Sequence, residues 1–159
     1  MPVLKIPQDI LDAMVSHARE LDPFECCGLL AGKHGTVTRQ YRITNTVAQD
    51  ARATTVFEEA GAKQLGHLSA TTRAEVAYFM DPKGMLAAFK DMRERQFDLA
   101  AIYHSHTHSP AYPSATDIGL AYYPEAAYLI ISLEEKSKPD IRAYWIRDRR
   151  VIPTEFVPI

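Results

Sequence analysis

An apolar run, Leu99-Ala-Ala-Ile-Tyr103, leads into His104-Ser-His106, and Pro110 and Pro113 follow within seven residues. The run reads as a buried strand. Proline cannot donate to a strand ladder, so the strand must stop near His106. The chain then turns, and Ser114-Ala-Thr-Asp117 opens a helix. This strand–loop–helix unit fixes the centre of the fold, and the rest of the chain has to pack around it.

Side chains alternate along a strand, so His104 and His106 point to one face. Two imidazoles so spaced form half of a divalent-metal site. A catalytic zinc takes three protein ligands and leaves one position for water. Two residues compete for the third place. His108 would join the same face if the strand continued. Asp117, one turn into the new helix, can reach back toward the imidazoles. Ser-x-x-Asp before an apolar stretch is also a plain helix-start signal, and one residue can serve as both cap and ligand.

His104-x-His106, seven residues and then Ser114-x-x-Asp117 resemble the signature of the JAMM (MPN-plus) metalloproteases. That family also carries an upstream glutamate in a Glu-x-Cys-Gly-Leu-Leu context, and this chain has Glu25-Cys-Cys-Gly-Leu-Leu30. The resemblance extends through the Asn45 region, Tyr78–Pro82 and Ala127–Ser132. It is greatest to the small prokaryotic members, which act on the C-terminal tails of ubiquitin-like sulfur-carrier proteins. Thr107 stands where many members have proline; members that free cysteine from a carrier share the threonine.

The resemblance implies an α/β chain with the JAMM/MPN (cytidine-deaminase-like) fold: a curved, mixed, mostly antiparallel sheet flanked by helices. It implies one zinc per chain on His104, His106 and Asp117. Glu25 becomes the general base, taking a proton from the attacking water and passing it to the leaving nitrogen. Ser114 becomes a donor to the developing oxyanion. The implied partner is a ubiquitin-like sulfur carrier with a glycine-rich C-terminal tail, cleaved at an amide or isopeptide bond near its end. The alternatives are a deubiquitinase-like isopeptidase acting on protein conjugates and a non-catalytic scaffold of the same fold. A zinc deaminase is disfavoured, because no Pro-Cys-x-x-Cys occurs here.

The chain's 159 residues fit a single domain, 1–159. Net charge is −2, with no basic run, which argues against nucleic acid. No apolar run approaches the roughly 20 residues needed to span a bilayer. The first residues lack a signal-peptide pattern, so a cytoplasmic protein is expected. Cys26 and Cys27 are the only cysteines, and their adjacency excludes a disulfide framework and a cysteine-based zinc ribbon.

The remaining pattern predicts a helix over 7–22, a strand over 27–31 and a return strand over 36–45. A flexible insertion is expected at about 51–73. A strand is expected over 74–80, then a helix capped by Asp81 with Met85, Leu86, Phe89, Met92 and Phe97 as its buried stripe. After the motif strand come a helix over 114–122, strands over 127–133 and 140–147, and a final edge strand over 151–157 that carries Pro153.

Overall fold

The computed structural model describes residues 3–59 and 68–159. In chain order it contains β1 (Leu4–Ile6), α1 (Gln8–Leu21), β2 (Cys27–Lys33), β3 (Thr36–Ile43), α2 (Ala51–Glu59), α3 (Ala70–Val76), α4 (Pro82–Arg95), β4 (Asp98–His106), α5 (Ala115–Gly119), β5 (Ala127–Ser132), β6 (Asp140–Arg147), β7 (Arg150–Thr154) and β8 (Phe156–Pro158). The eight strands form one sheet in the order β7-β6-β5-β4-β2-β3-β1-β8. Four pairings are antiparallel and three are parallel.

The predicted final strand is two strands. β7 and β8 are joined through Glu155 alone, yet they lie on opposite edges of the sheet. The sheet must therefore curl until its two edges meet. Each edge strand carries a proline, where a missing ladder donor costs nothing.

Each face of the sheet has its own core. Leu11, Met14 and Ala18 of α1 are buried against Leu30, Tyr103, Leu129 and Ile131. Their spacing is the helical stripe expected from the sequence. Each large side chain buried this way contributes about 1.5–3 kcal/mol. On the opposite face, Ala88 and Met92 of α4 pack with Leu29, Ile102, Tyr128 and Ile130. Asp81 caps α4 by accepting a hydrogen bond from the Lys83 amide at 3.2 Å. Leu86 departs from the expected stripe and is 69% exposed. Met85, Ala88 and Met92 follow the three-and-four spacing of one helix face, and Leu86 falls about 100° away from Met85.

Two further differences concern the middle of the chain. The expected strand over 74–80 is helix α3 up to Val76, followed by extended chain. Ser69 starts that helix by accepting from the Thr72 amide at 3.2 Å, and this cap outweighs the apolar alternation after it. Only Met80 pairs as a strand residue, in an isolated bridge to Asn45. Within the expected insertion, α2 and the start of α3 are helical, and Ala53 and Phe57 are buried with Val47 and Ala77. The stretch 60–67 lies outside the described residues. The helix after Ser114 ends at Gly119 rather than near Tyr122, as helix-weakening glycine allows.

Candidate metal centre

The sheet register brings the two separated motifs together. β2 and β4 are antiparallel neighbours with Cys27 opposite His104. The Glu25 segment leads into that pair, and Glu25 lies close enough to Asp117 to feel its charge. Cross-strand partners share a face, so Cys27, His104 and His106 belong to the α4 side. Cys26 and Ser105 belong to the other side. Ser105 fastens the junction: its Oγ accepts from the Cys26 amide at 2.8 Å, and its own amide donates to the Cys26 carbonyl at 3.1 Å.

His104 and His106 are 1% and 4% exposed. Their Nε2 atoms lie 3.1 Å apart, and each is 3.0–3.1 Å from Asp117 Oδ2. Among the described residues these three form the one group of ligating side chains with a metal-binding arrangement. A tetrahedral ion with bonds of 2.0–2.1 Å sets neighbouring ligand atoms about 3.3 Å apart. The three atoms are thus close to the positions such an ion demands. Two imidazole nitrogens and a carboxylate oxygen converging on one point need a cation or a shared proton to hold them.

Supporting bonds orient two of the three. His106 Nδ1 lies 2.8 Å from the Pro110 carbonyl, so Nδ1 carries the proton and the Nε2 lone pair faces the cluster. Asp117 sits at the start of α5 in a capping box. Ser114 N donates to Asp117 Oδ2 at 2.9 Å, and Asp117 N donates to Ser114 Oγ at 3.1 Å. Cap and cluster share the same carboxylate. His104 Nδ1 is buried with no hydrogen-bond partner among the described residues; its ring packs against Tyr78, with centroids 4.6 Å apart.

Charge states follow from this packing. Burial works against a charged Asp117, but His104 and then His106 hold its carboxyl far below the usual carboxylate range. Burial also opposes a charged His106, yet Asp117 and the Pro110 carbonyl raise it above its ordinary value. Burial, and next the negative charge of Asp117, push Glu25 well above the carboxylate range. Glu25 is 4% exposed, and its Oε1 has no partner among the described residues. An unpaired buried carboxyl with a raised affinity for protons suits general acid–base work.

His108 is exposed and lies outside the cluster. Thr107 is buried, and its Oγ1 donates to the Glu75 carbonyl at 3.3 Å, tying the loop after His106 to α3. Cys26 and Cys27 are buried free thiols, and burial raises both, Cys26 to about 12. They are poor nucleophiles in that state. Sequence reasoning passed over Ser105, Tyr78 and the Pro110 carbonyl. Only Ser105 carried a local signal, because alternation puts it on the opposite face of the sheet from the histidines.

The family model for prokaryotic homologs of the JAB domain matches residues 7–147. The chain is 33% identical over 149 residues to the CysO-cysteine peptidase of Mycobacterium tuberculosis, covering 94% of this chain and 86% of that protein. It is 33% identical over 135 residues to the desampylase of Haloferax volcanii, covering 81% of this chain and 80% of that one. Among solved structures, a protein of Desulfitobacterium hafniense determined in solution superposes with a TM-score of 0.75 at 30% identity, over 99% of this chain and 93% of that one.

Proposed function

This chain belongs to the prokaryotic JAB-domain (JAMM/MPN) family of hydrolases, and on that premise we propose that it is a zinc-dependent peptidase. Its substrate is a ubiquitin-like sulfur-carrier protein, cleaved at an amide bond at the end of a glycine-rich tail. The observation that carries the reading is the convergence of His104, His106 and Asp117 within 3.0–3.1 Å of one another. Two imidazoles and a carboxylate are a donor set that zinc favours. His104, His106 and Asp117 would hold the zinc, which would supply Lewis acidity toward a carbonyl oxygen and lower the pKa of a water toward about 7.

The chain's own groups do the rest. Glu25 takes a proton from the attacking water as the new C–O bond forms. It then delivers that proton to the nitrogen as the C–N bond breaks. The Ser114 hydroxyl accepts from Asp117 N, which leaves its own proton free for the developing oxyanion. A glycine-rich tail has no side chains to obstruct a narrow approach and can lie extended against strand backbone.

The test is zinc content and amide hydrolysis of Glu25→Gln and Asp117→Asn. Glu25→Gln keeps zinc and loses activity; Asp117→Asn loses both. A fully active Glu25→Gln enzyme refutes the reading. A second reading, isopeptidase action on protein conjugates, draws on the likeness to the H. volcanii desampylase. Parallel assays on a carrier ending in cysteine and on a carrier joined to a lysine side chain separate the two. No helix among the described residues is long and apolar enough to cross a membrane.

A further inference from the structure

We infer that Asn45 is a positioning residue for this reaction, holding the Glu25 backbone against the end of α3; the inference rests on Glu25 being the base. Asn45 is in the bridge between the end of β3 and Met80. Its carboxamide uses its full bonding capacity. Nδ2 donates to the Glu25 carbonyl at 3.0 Å and to the Ala77 carbonyl at 3.2 Å. Oδ1 accepts from the Val47 amide at 3.1 Å and from the Phe79 amide at 3.0 Å. One side chain thereby joins the Glu25 segment, the exit of α3 and the extended chain at Phe79.

Glu25 depends on this clamp more than an ordinary catalytic carboxylate would. Its Oε1 has no hydrogen-bond partner among the described residues, so the carboxyl goes where the backbone puts it. Glu25 precedes β2, outside the regular ladder. Its peptide is fixed at two points: its amide donates to the Ala74 carbonyl at 2.8 Å, and its carbonyl accepts from Asn45. Asn45 also holds Ala77, at the C-cap of the helix that offers the Ala74 carbonyl. Loss of the Nδ2 donors loosens both points together. A displacement near 1 Å of a catalytic group costs about 100-fold in rate.

Asn45→Asp tests this with little change of shape. It keeps an acceptor for Val47 and Phe79 and sets a carboxylate oxygen against the Glu25 and Ala77 carbonyls. Thr46→Val is the control: the Thr46 hydroxyl donates to the Phe79 carbonyl at 3.2 Å in the same bridge and makes no bond to Glu25. Zinc stoichiometry, kcat, KM and thermal midpoint are measured for both and for Glu25→Gln. The expected result is that Asn45→Asp loses 10- to 100-fold in kcat with KM within twofold and full zinc. Thr46→Val lowers the midpoint and leaves kcat within twofold. Should Asn45→Asp not fold, Asn45→Ser carries the same expectation. The inference is overturned if kcat holds within twofold in the Asn45 variant, if the loss falls on KM or zinc, or if Thr46→Val loses kcat equally. If Glu25→Gln is itself active, the base assignment has failed and takes this inference with it. A dead Glu25→Gln beside a normal Asn45→Asp isolates the failure to the clamp.

Discussion

Replacing Ser105 with alanine removes one hydroxyl from between the two histidines. Ser105 and Cys26 are both fully buried. The Ser105 Oγ accepts from the Cys26 amide at 2.8 Å, so the substitution leaves a buried backbone donor unpaired. That costs about 1–3 kcal/mol. The change in volume is a single oxygen, so the cavity contribution is small. For a chain of this length, each kcal/mol corresponds to roughly 2–4 °C in thermal midpoint. A central value of about 2 kcal/mol gives a fall of roughly 4–8 °C. The assay is thermal unfolding with urea titration alongside, zinc-free and zinc-loaded. Ser105→Thr, which retains the hydroxyl, should recover most of the loss if the added methyl fits. A midpoint within 1 °C of the parent for Ser105→Ala would refute the claim that this bond fastens β2 to β4.

Other outcomes follow from the same structure. A Cβ at Gly28 would collide with the Tyr103 ring, whose hydroxyl lies 2.8 Å from His17 Nδ1 and accepts from Gln40 at 2.9 Å. Gly28→Ala should cost about 1–3 kcal/mol, the usual range for overpacking, read as a lower urea midpoint at unchanged slope. His17 titrates at about 4, lowered by burial and then by Arg42. The unfolded chain, with histidine near 6.5, binds this proton first. Stability from this group is therefore complete above pH 6.5 and declines as pH falls toward 4. The whole window is worth at most about 3 kcal/mol, and solvent screening reduces it to about 1–2 kcal/mol. Urea midpoints at pH 7.5 and 4.5 should converge in His17→Gln relative to the parent; equal pH dependence in both would contradict the assignment.

How much of this was legible beforehand differs from element to element. The motif strand, its stop near His106 and the cap at Ser114 were readable because alternation, proline and capping are local rules. That the Glu25 segment runs up beside the motif strand was not readable from alternation, since it depends on the antiparallel register that sets Cys27 opposite His104. Family resemblance implied the association of the two motifs. The stretch after Ser69 misled because Ala74 to Met80 has strand-like composition, while a single serine cap commits its first residues to helix. Leu86 misled because it sits beside a true core position on α4. The Pro110 carbonyl that orients His106 is a backbone atom on a loop, and no side-chain pattern announces it. The split of the last strand across both sheet edges follows from curvature, a property of all eight strands together.

The central claim is that one ion is gripped by two imidazoles and one carboxylate, with neither cysteine nor His108 taking part. X-ray absorption at the zinc edge of the loaded protein tests it most directly. The expected spectrum has light-atom ligands at about 2.0–2.1 Å, fitted with two imidazoles. A sulfur scatterer near 2.3 Å, or a fit requiring a third imidazole, would contradict it.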